Sequence, residues 1–216
     1  MRAHFILAID NLESMLDENA ERVIKALESA RGAMEEGNPK AAQRVIAGDA
    51  EINLGENRIE EECLKLLALY QPVAGDLRRI IAILKINGEL ERCGDLAVNI
   101  ANRVDTPSGS HLPEDAAHLD RMATKSLRML VDSVRAFRKH DAVSAERIIA
   151  QDDEIDEIHR ANYARVKELL ESGTAVAPCL DYLTFSRAFE RIADVSTNIA
   201  EDVVYLESGK IIRHAG

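Results

Sequence analysis

Glu91-Arg92-Cys93-Gly94-Asp95, followed by Asn99-Ile100-Ala101, returns 99 residues later as Glu190-Arg191-Ile192-Ala193-Asp194, followed by Asn198-Ile199-Ala200. Upstream, Ala47-Gly48-Asp49-Ala50-Glu51-Ile52-Asn53 returns as Ala150-Gln151-Asp152-Asp153-Glu154-Ile155-Asp156 at an offset of 103. Self-similarity at a fixed period marks a structural unit written twice, and the two offsets place a four-residue deletion between these motifs in the second copy. In the first copy Ile83, Ile86, Leu90, Cys93, Ala97, Ile100 and Val104 fall in the 3-4-3-4 rhythm of a helical bundle seam. Tyr182, Phe185, Phe189, Ile192, Ser196, Ile199, Val203 and Leu206 keep that rhythm in the second, with Ser196 as its polar interruption.

Working outward, six periodic segments are predicted, near 4–36, 39–70, 72–105, 113–140, 141–172 and 176–208. Turn formers separate them: Gly37-Asn38-Pro39, Gln71-Pro72, Thr106-Pro107-Ser108-Gly109-Ser110, Gly173-Thr174 and Pro178. Only 106–112 reads as a linker. Helices of about 30 residues joined by short turns run antiparallel to their neighbours. The expected fold is therefore all-α: two tandem antiparallel three-helix bundles related by an internal repeat, spanning 1–106 and 107–216.

Composition narrows the function. Thirty-eight acids against 27 bases leave a formal charge of -11, so most of the surface repels a phosphate backbone and nucleic acid is not an expected partner. The same excess suits cations or a basic surface on another protein, and it also serves solubility alone. Cys63, Cys93 and Cys179 are odd in number and widely spaced, which fits neither a disulfide framework nor a zinc-thiolate site and points to the cytoplasm. No stretch approaches the roughly 20 apolar residues of a membrane span, so any membrane role is expected to be peripheral.

Glu91, Asp95 and Asn99 stand four apart, as do Glu190, Asp194 and Asn198. Each step of four drifts only about 40° around a helix, so each trio lines one face, away from the main seam. Like charges at this spacing destabilise a helix by a few tenths of a kcal/mol, and bound cations would offset that repulsion. Antiparallel packing about the turn near Tyr70-Gln71 puts Asp49 and Asn53 level with Glu91 and Asp95. The turn near Gly173-Thr174 likewise brings Asp152 and Asp156 level with Ile192 and Asp194. Two carboxylate-rich sites are expected, able to hold divalent or ferric ions, with Glu56 and His159 at mirrored positions beside them. The plainer alternative is a solvated charged face in which Arg92 and Arg191 pair with nearby acids. His159 reads first as a helix-face residue, and Cys93 as core. Phosphate-binding loops, nucleophile elbows and zinc-protease motifs are missing, as is the Glu-x-x-His of di-iron bundles.

The start Met1-Arg2-Ala3-His4-Phe5, the run Gln71-Pro72-Val73-Ala74-Gly75-Asp76-Leu77-Arg78, the two repeated acidic segments and the tail Asn198-Ile199-Ala200-Glu201-Asp202-Val203-Val204-Tyr205 together resemble the PhoU family. The resemblance implies paired three-helix bundles with E(D)-x-x-x-D motifs that in some members bind multinuclear metal clusters, iron among them. Those motifs fall on Asp49/Asn53, Glu91/Asp95, Asp152/Asp156 and Glu190/Asp194. It further implies a non-enzymatic cytoplasmic regulator, expected as a homodimer, that represses phosphate uptake and phosphate-starvation signalling. Its implied partners are the ATPase subunit of the phosphate ABC transporter and a membrane-bound sensor histidine kinase. The rival is a metal-carboxylate bundle enzyme or a helical scaffold. Departures are local: Leu96 and Val195 stand where the family often has His, Cys93 for Ile, Ala193 for Gly, and Asn53 for an acid. Asn53 against Asp156 and Glu56 against His159 make the second copy the better metal candidate.

Overall fold

A computed structural model describes residues 2–105, 112 and 117–209. Seven helices are seen among them: α1 (Arg2–Glu36), α2 (Pro39–Tyr70), α3 (Ala74–Val104), α4 (Ala117–Arg138), α5 (Ala142–Ile149), α6 (Asp152–Glu171) and α7 (Val176–Ser208). The proposed 106–112 linker, apart from Leu112, lies outside the described residues, as do 113–116 of the fourth segment and the 106/107 boundary.

Local chemistry explains the ends. Asn38 accepts a hydrogen bond from the Ala41 N–H and Pro39 opens α2, so one free donor is satisfied and another is removed. Asp141 does the same for α5 through the Ser144 N–H at 3.0 Å. Gly37, Gly173 and Gly209 take positive φ where α1, α6 and α7 stop, the conformation that costs a side chain most.

One expectation fails. The segment predicted as a single helix over 141–172 is two, α5 and α6, divided at Ala150-Gln151. Both residues stay near helical angles with ψ of -9° and -12°, and Gln151 N–H donates to the Ile148 carbonyl, an i to i-3 bond. The chain tightens by part of a turn instead of leaving the helical path, which is why no Gly or Pro announces the break. Asp152, Asp153 and Glu154 then occupy the first turn of α6, where acids are favoured by the exposed N–H groups.

Helices α1, α2 and α3 pack on one another, and α4, α5/α6 and α7 repeat the arrangement. The largest fully buried side chains, Tyr182, Phe185 and Phe189, belong to the seam of α7. Two ion pairs fix how the halves join: Lys85 Nζ lies 3.1 Å from Asp202, and Arg103 binds Asp181. Residue 85 of α3 meets 202 of α7 and 103 meets 181, so α3 and α7 run antiparallel. Because a shift of 99 turns 103 into 202 and 85 into 184, the joint is an approximate two-fold between the repeats. Arg31 with Asp120 and Arg138 with Asp17, each at 2.5 Å, tie α1 to α4 in the same sense. Helix α3 is consequently buried on a second face beyond its seam, where Leu96 packs. Each large aliphatic side chain so buried contributes about 1.5–3 kcal/mol. No described helix is long and apolar enough to cross a membrane.

Candidate acidic sites and the face they share

In the first half, α2 and α3 bring Asp49 and Asn53 opposite Glu91 and Asp95 at the level the spacing predicts. A Cβ placed on Gly94 would meet Ile52 at 3.2 Å and Asp49 Oδ1 at 3.9 Å. Asn87 of α3 donates to the Glu56 carbonyl at 2.9 Å, which pins the same register further along. Burial raises the pKa of Glu91, and the charges of Asp95, Glu56 and Asp49 push it in the same direction. Glu56 is raised by burial and by Glu60.

The second half repeats this more strongly. Asp152 is pushed up to about 6 by burial and by Asp194, Asp156 and Asp153, against a hydrogen bond from Thr197 that works the other way. Asp194 is likewise pushed up to about 6, by burial and by Glu190 and Asp156. Burial and Asp156 also raise Glu190. Carboxylates from α6 and α7 therefore crowd one another, and the neutral forms of Asp152, Glu190 and Asp194 are favoured by burial and by their acidic neighbours.

His159 borders this cluster and is held from below. Asn162, fully buried, donates through Nδ2 to Ser186 Oγ at 2.8 Å and accepts from the Tyr182 hydroxyl at 3.0 Å. Ser186 Oγ in turn lies 2.8 Å from His159 Nδ1. Burial lowers the pKa of His159, outweighing Asp156, so the neutral ring is favoured. His159, Tyr163, Arg187, Glu190, Arg191 and Asp194 line a common open cleft.

For a cation the chemistry of the residues fits. The first half offers only oxygens, the donors that hard ions take, and Asp49 Oδ1 and Asn53 Oδ1 are buried with no hydrogen-bond partner. Preformed geometry is lacking. Asn53 Nδ2 donates to Asp49 Oδ2 at 2.8 Å, and among the described residues no three His, Cys, Asp or Glu side chains are grouped so as to hold a metal ion. Side chains must draw together to close either set.

A family model described as PhoU domain matches residues 16–104 and again 119–203, one match to each repeat. The chain belongs to the PhoU family. Among curated PhoU relatives, the phosphate-specific transport system accessory protein PhoU homolog of Aquifex aeolicus is 36% identical over 92% of this chain and 94% of its own length. The PhoU accessory protein of Escherichia coli K12 is 33% identical over 90% of this chain and 81% of its own length. The crystal structure of PhoU from Pseudomonas aeruginosa superposes with a TM-score of 0.90 at 31% identity, covering 95% of this chain and all of that one. That of the phosphate transport system regulatory protein PhoU from Streptococcus pneumoniae gives 0.88 at 32%, covering 96% and 99%. The PhoU fold accounts for two departures noted in the sequence. Leu96 and Val195 are each 6% exposed and line the α3–α7 joint, so apolar side chains there serve packing between the halves.

Of the two arginines that the plainer alternative pairs with nearby acids, Arg92 does so, through Nη1 to Glu89 at 3.1 Å, whereas Arg191 has no ion pair within 4.0 Å among the described residues. Sequence reasoning missed that the ladders border a second seam. Asp95 and Asn99 of α3 line the same cleft as Asp194 and Asn198 of α7, so the two acidic faces are joined across the two-fold. The partial signal was Leu96 and Ala101, apolar residues off the main seam of α3.

Proposed function

We propose that this protein is a regulator of phosphate transport that represses phosphate uptake and phosphate-starvation signalling through protein contacts. What supports this is similarity along both repeats to proteins named as accessory or regulatory proteins of phosphate transport. In this reading it works in the cytoplasm, as a homodimer and without catalysis. It contacts the ATPase subunit of the phosphate ABC transporter and the sensor histidine kinase of the phosphate two-component system. The acidic ladders supply a surface complementary to basic partner faces. They also supply the residues that would hold iron or another divalent or ferric ion: Asp49, Asn53, Glu91 and Asp95 in one half, Asp152, Asp156, Glu190 and Asp194 in the other. The crowding of the second set supports this, since a cation relieves the same repulsion that a proton relieves. Co-purification of the tagged full chain from native membranes and cytosol tests the reading. Recovery of the transporter ATPase and the kinase is expected, and recovery of neither overturns it.

A further inference from the structure

The repeat provides an internal control that exposes a site in only one place. Between the C-terminal half of α3 and the N-terminal half of α7 runs an open groove of about 530 Å³. Its polar lining is Asn99, Asn102, Arg103, Thr184, Arg187 and Arg191, with no acid, in a chain whose net charge is -11. Leu96, Phe185 and Ala188 form an apolar floor.

Applying the repeat offset of 99 generates the counterpart position at the other end of the joint, and its chemistry is opposite. Asn102 becomes Glu201, Arg103 becomes Asp202, Arg187 becomes Gly88 and Ala188 becomes Glu89. There Lys85 is tied to Asp202 at 3.1 Å and Arg92 to Glu89 at 3.1 Å, so the cations are spent on the chain's own acids. In the groove, Arg103 is paired with the buried Asp181 as Lys85 is with Asp202, but Arg187 and Arg191 have no ion pair within 4.0 Å among the described residues and are the cations that distinguish this end of the joint. Packing the same two helices together does not require this pattern, because the counterpart packs without it.

We propose that this groove binds a chain of linked phosphates. Arginine forks match phosphate oxygens, and the amide and hydroxyl groups of Asn99, Asn102 and Thr184 add neutral donors between them. Arg187 and Arg191 stand one turn apart on α7, about 6 Å at its helical rise, and Arg103 of α3, anchored on Asp181, sets a third guanidinium at the level of a residue six positions before Arg187, so the row of donors suits an extended polyanion better than a single orthophosphate. Asp95 and Asp194 lie beyond Arg191 in the adjoining cleft, and Glu190 and Asp194 share a second cleft with Arg187 and Arg191, so the ligand runs on the acid-free side of the two arginines, from Arg191 toward Arg103. Inorganic oligophosphate and nucleoside triphosphate share this chemistry. The proposal stands on the groove alone and does not depend on the regulatory reading.

Calorimetric titration of the full chain with tripolyphosphate, ATP and orthophosphate, at matched low ionic strength, tests it. Tripolyphosphate or ATP should bind more tightly than orthophosphate. Binding of both to similar degree identifies the phosphate chain as the recognised element, and preference for one identifies the source. Arg187→Glu should weaken binding about tenfold or more, since it replaces a charge-assisted donor by a repelling acid. Asn102→Glu, which installs at an exposed position the acid that the other copy carries as Glu201, should do the same and keeps the test open if Arg187→Glu does not fold. Arg58→Glu, the same charge change at an exposed position of α2 away from the groove, should leave affinity unchanged. No binding of tripolyphosphate or ATP at millimolar concentration, tighter binding of orthophosphate, or binding indifferent to both groove variants overturns the proposal.

Discussion

Replacing Asp194 by Asn should stabilise the protein in mildly alkaline solution and leave it unchanged in acid. Asp194 and Asp152 are each held near 6, above the ordinary aspartate value of about 3.9. A raised carboxyl pKa means that the folded state takes up the proton more readily than the unfolded chain. Stability from this site is therefore fully present below about pH 4 and is lost as pH rises through about 6. Taken at face value the displacement of Asp194 is worth up to about 3 kcal/mol, but its carboxyl is exposed at the mouth of the cleft and screened by water, which leaves about 1 kcal/mol. Asn is nearly isosteric and carries no charge, so the variant should gain that amount, about 2–4 °C in Tm, near pH 8 and almost nothing near pH 3.5. Thermal unfolding followed by circular dichroism across that range, with chelator present, checks it. A variant less stable than the parent near pH 8, or a difference independent of pH, would refute the electrostatic reading of the cluster.

Further perturbations probe other parts of the structure. With chelator replaced by millimolar Mn²⁺ or Fe²⁺ near pH 8, the parent should rise in Tm and the Asp152→Asn/Asp194→Asn double variant should rise less; equal shifts would show that ions bind elsewhere. Lys85→Ala removes one charged partner of the buried Asp202 and should cost about 1–3 kcal/mol by chemical denaturation, whereas Lys85→Met with Asp202→Leu should restore much of it. Gly55→Ala should cost about 1–3 kcal/mol, because its Cβ would sit 2.4 Å from Asn19 Oδ1. Asn19 is fully buried with neither side-chain polar atom bonded, so adding Asn19→Ala should recover most of that loss. Cys63, with its pKa pushed up to about 12, and Cys93, pushed up further by complete burial, should react with a thiol reagent only at the rate of unfolding.

Much of this architecture is legible in the residues because its causes are local or periodic. The repeated Glu91-to-Asp95 segment gives the duplication, the 3-4 rhythm from Ile83 to Val104 gives the seam, and Asn38-Pro39 and Gly173 give the ends. Counting back from Tyr70 places Asp49 level with about Cys93, one residue from the Gly94 that it meets, because an antiparallel pair of regular helices leaves little freedom in level. What escapes has no local signature. The division of α5 from α6 is a tightening that Ala150 and Gln151 accommodate without special chemistry. The α3–α7 joint is built from single residues on helices about 100 positions apart, so Leu96 and Val195 look like isolated apolar positions until the fold brings them together. The arginine groove is hidden for the same reason. Its one sequence signal is a difference between the copies, Asn102-Arg103 against Glu201-Asp202, and a search for what the repeats share passes over it.

Regulation of phosphate transport is tested most directly by deleting the gene in its native host and measuring phosphate uptake and phosphatase expression under phosphate excess. Derepression of both, restored by the intact gene supplied in trans, is the expected result. Normal repression in the deletion strain would contradict it.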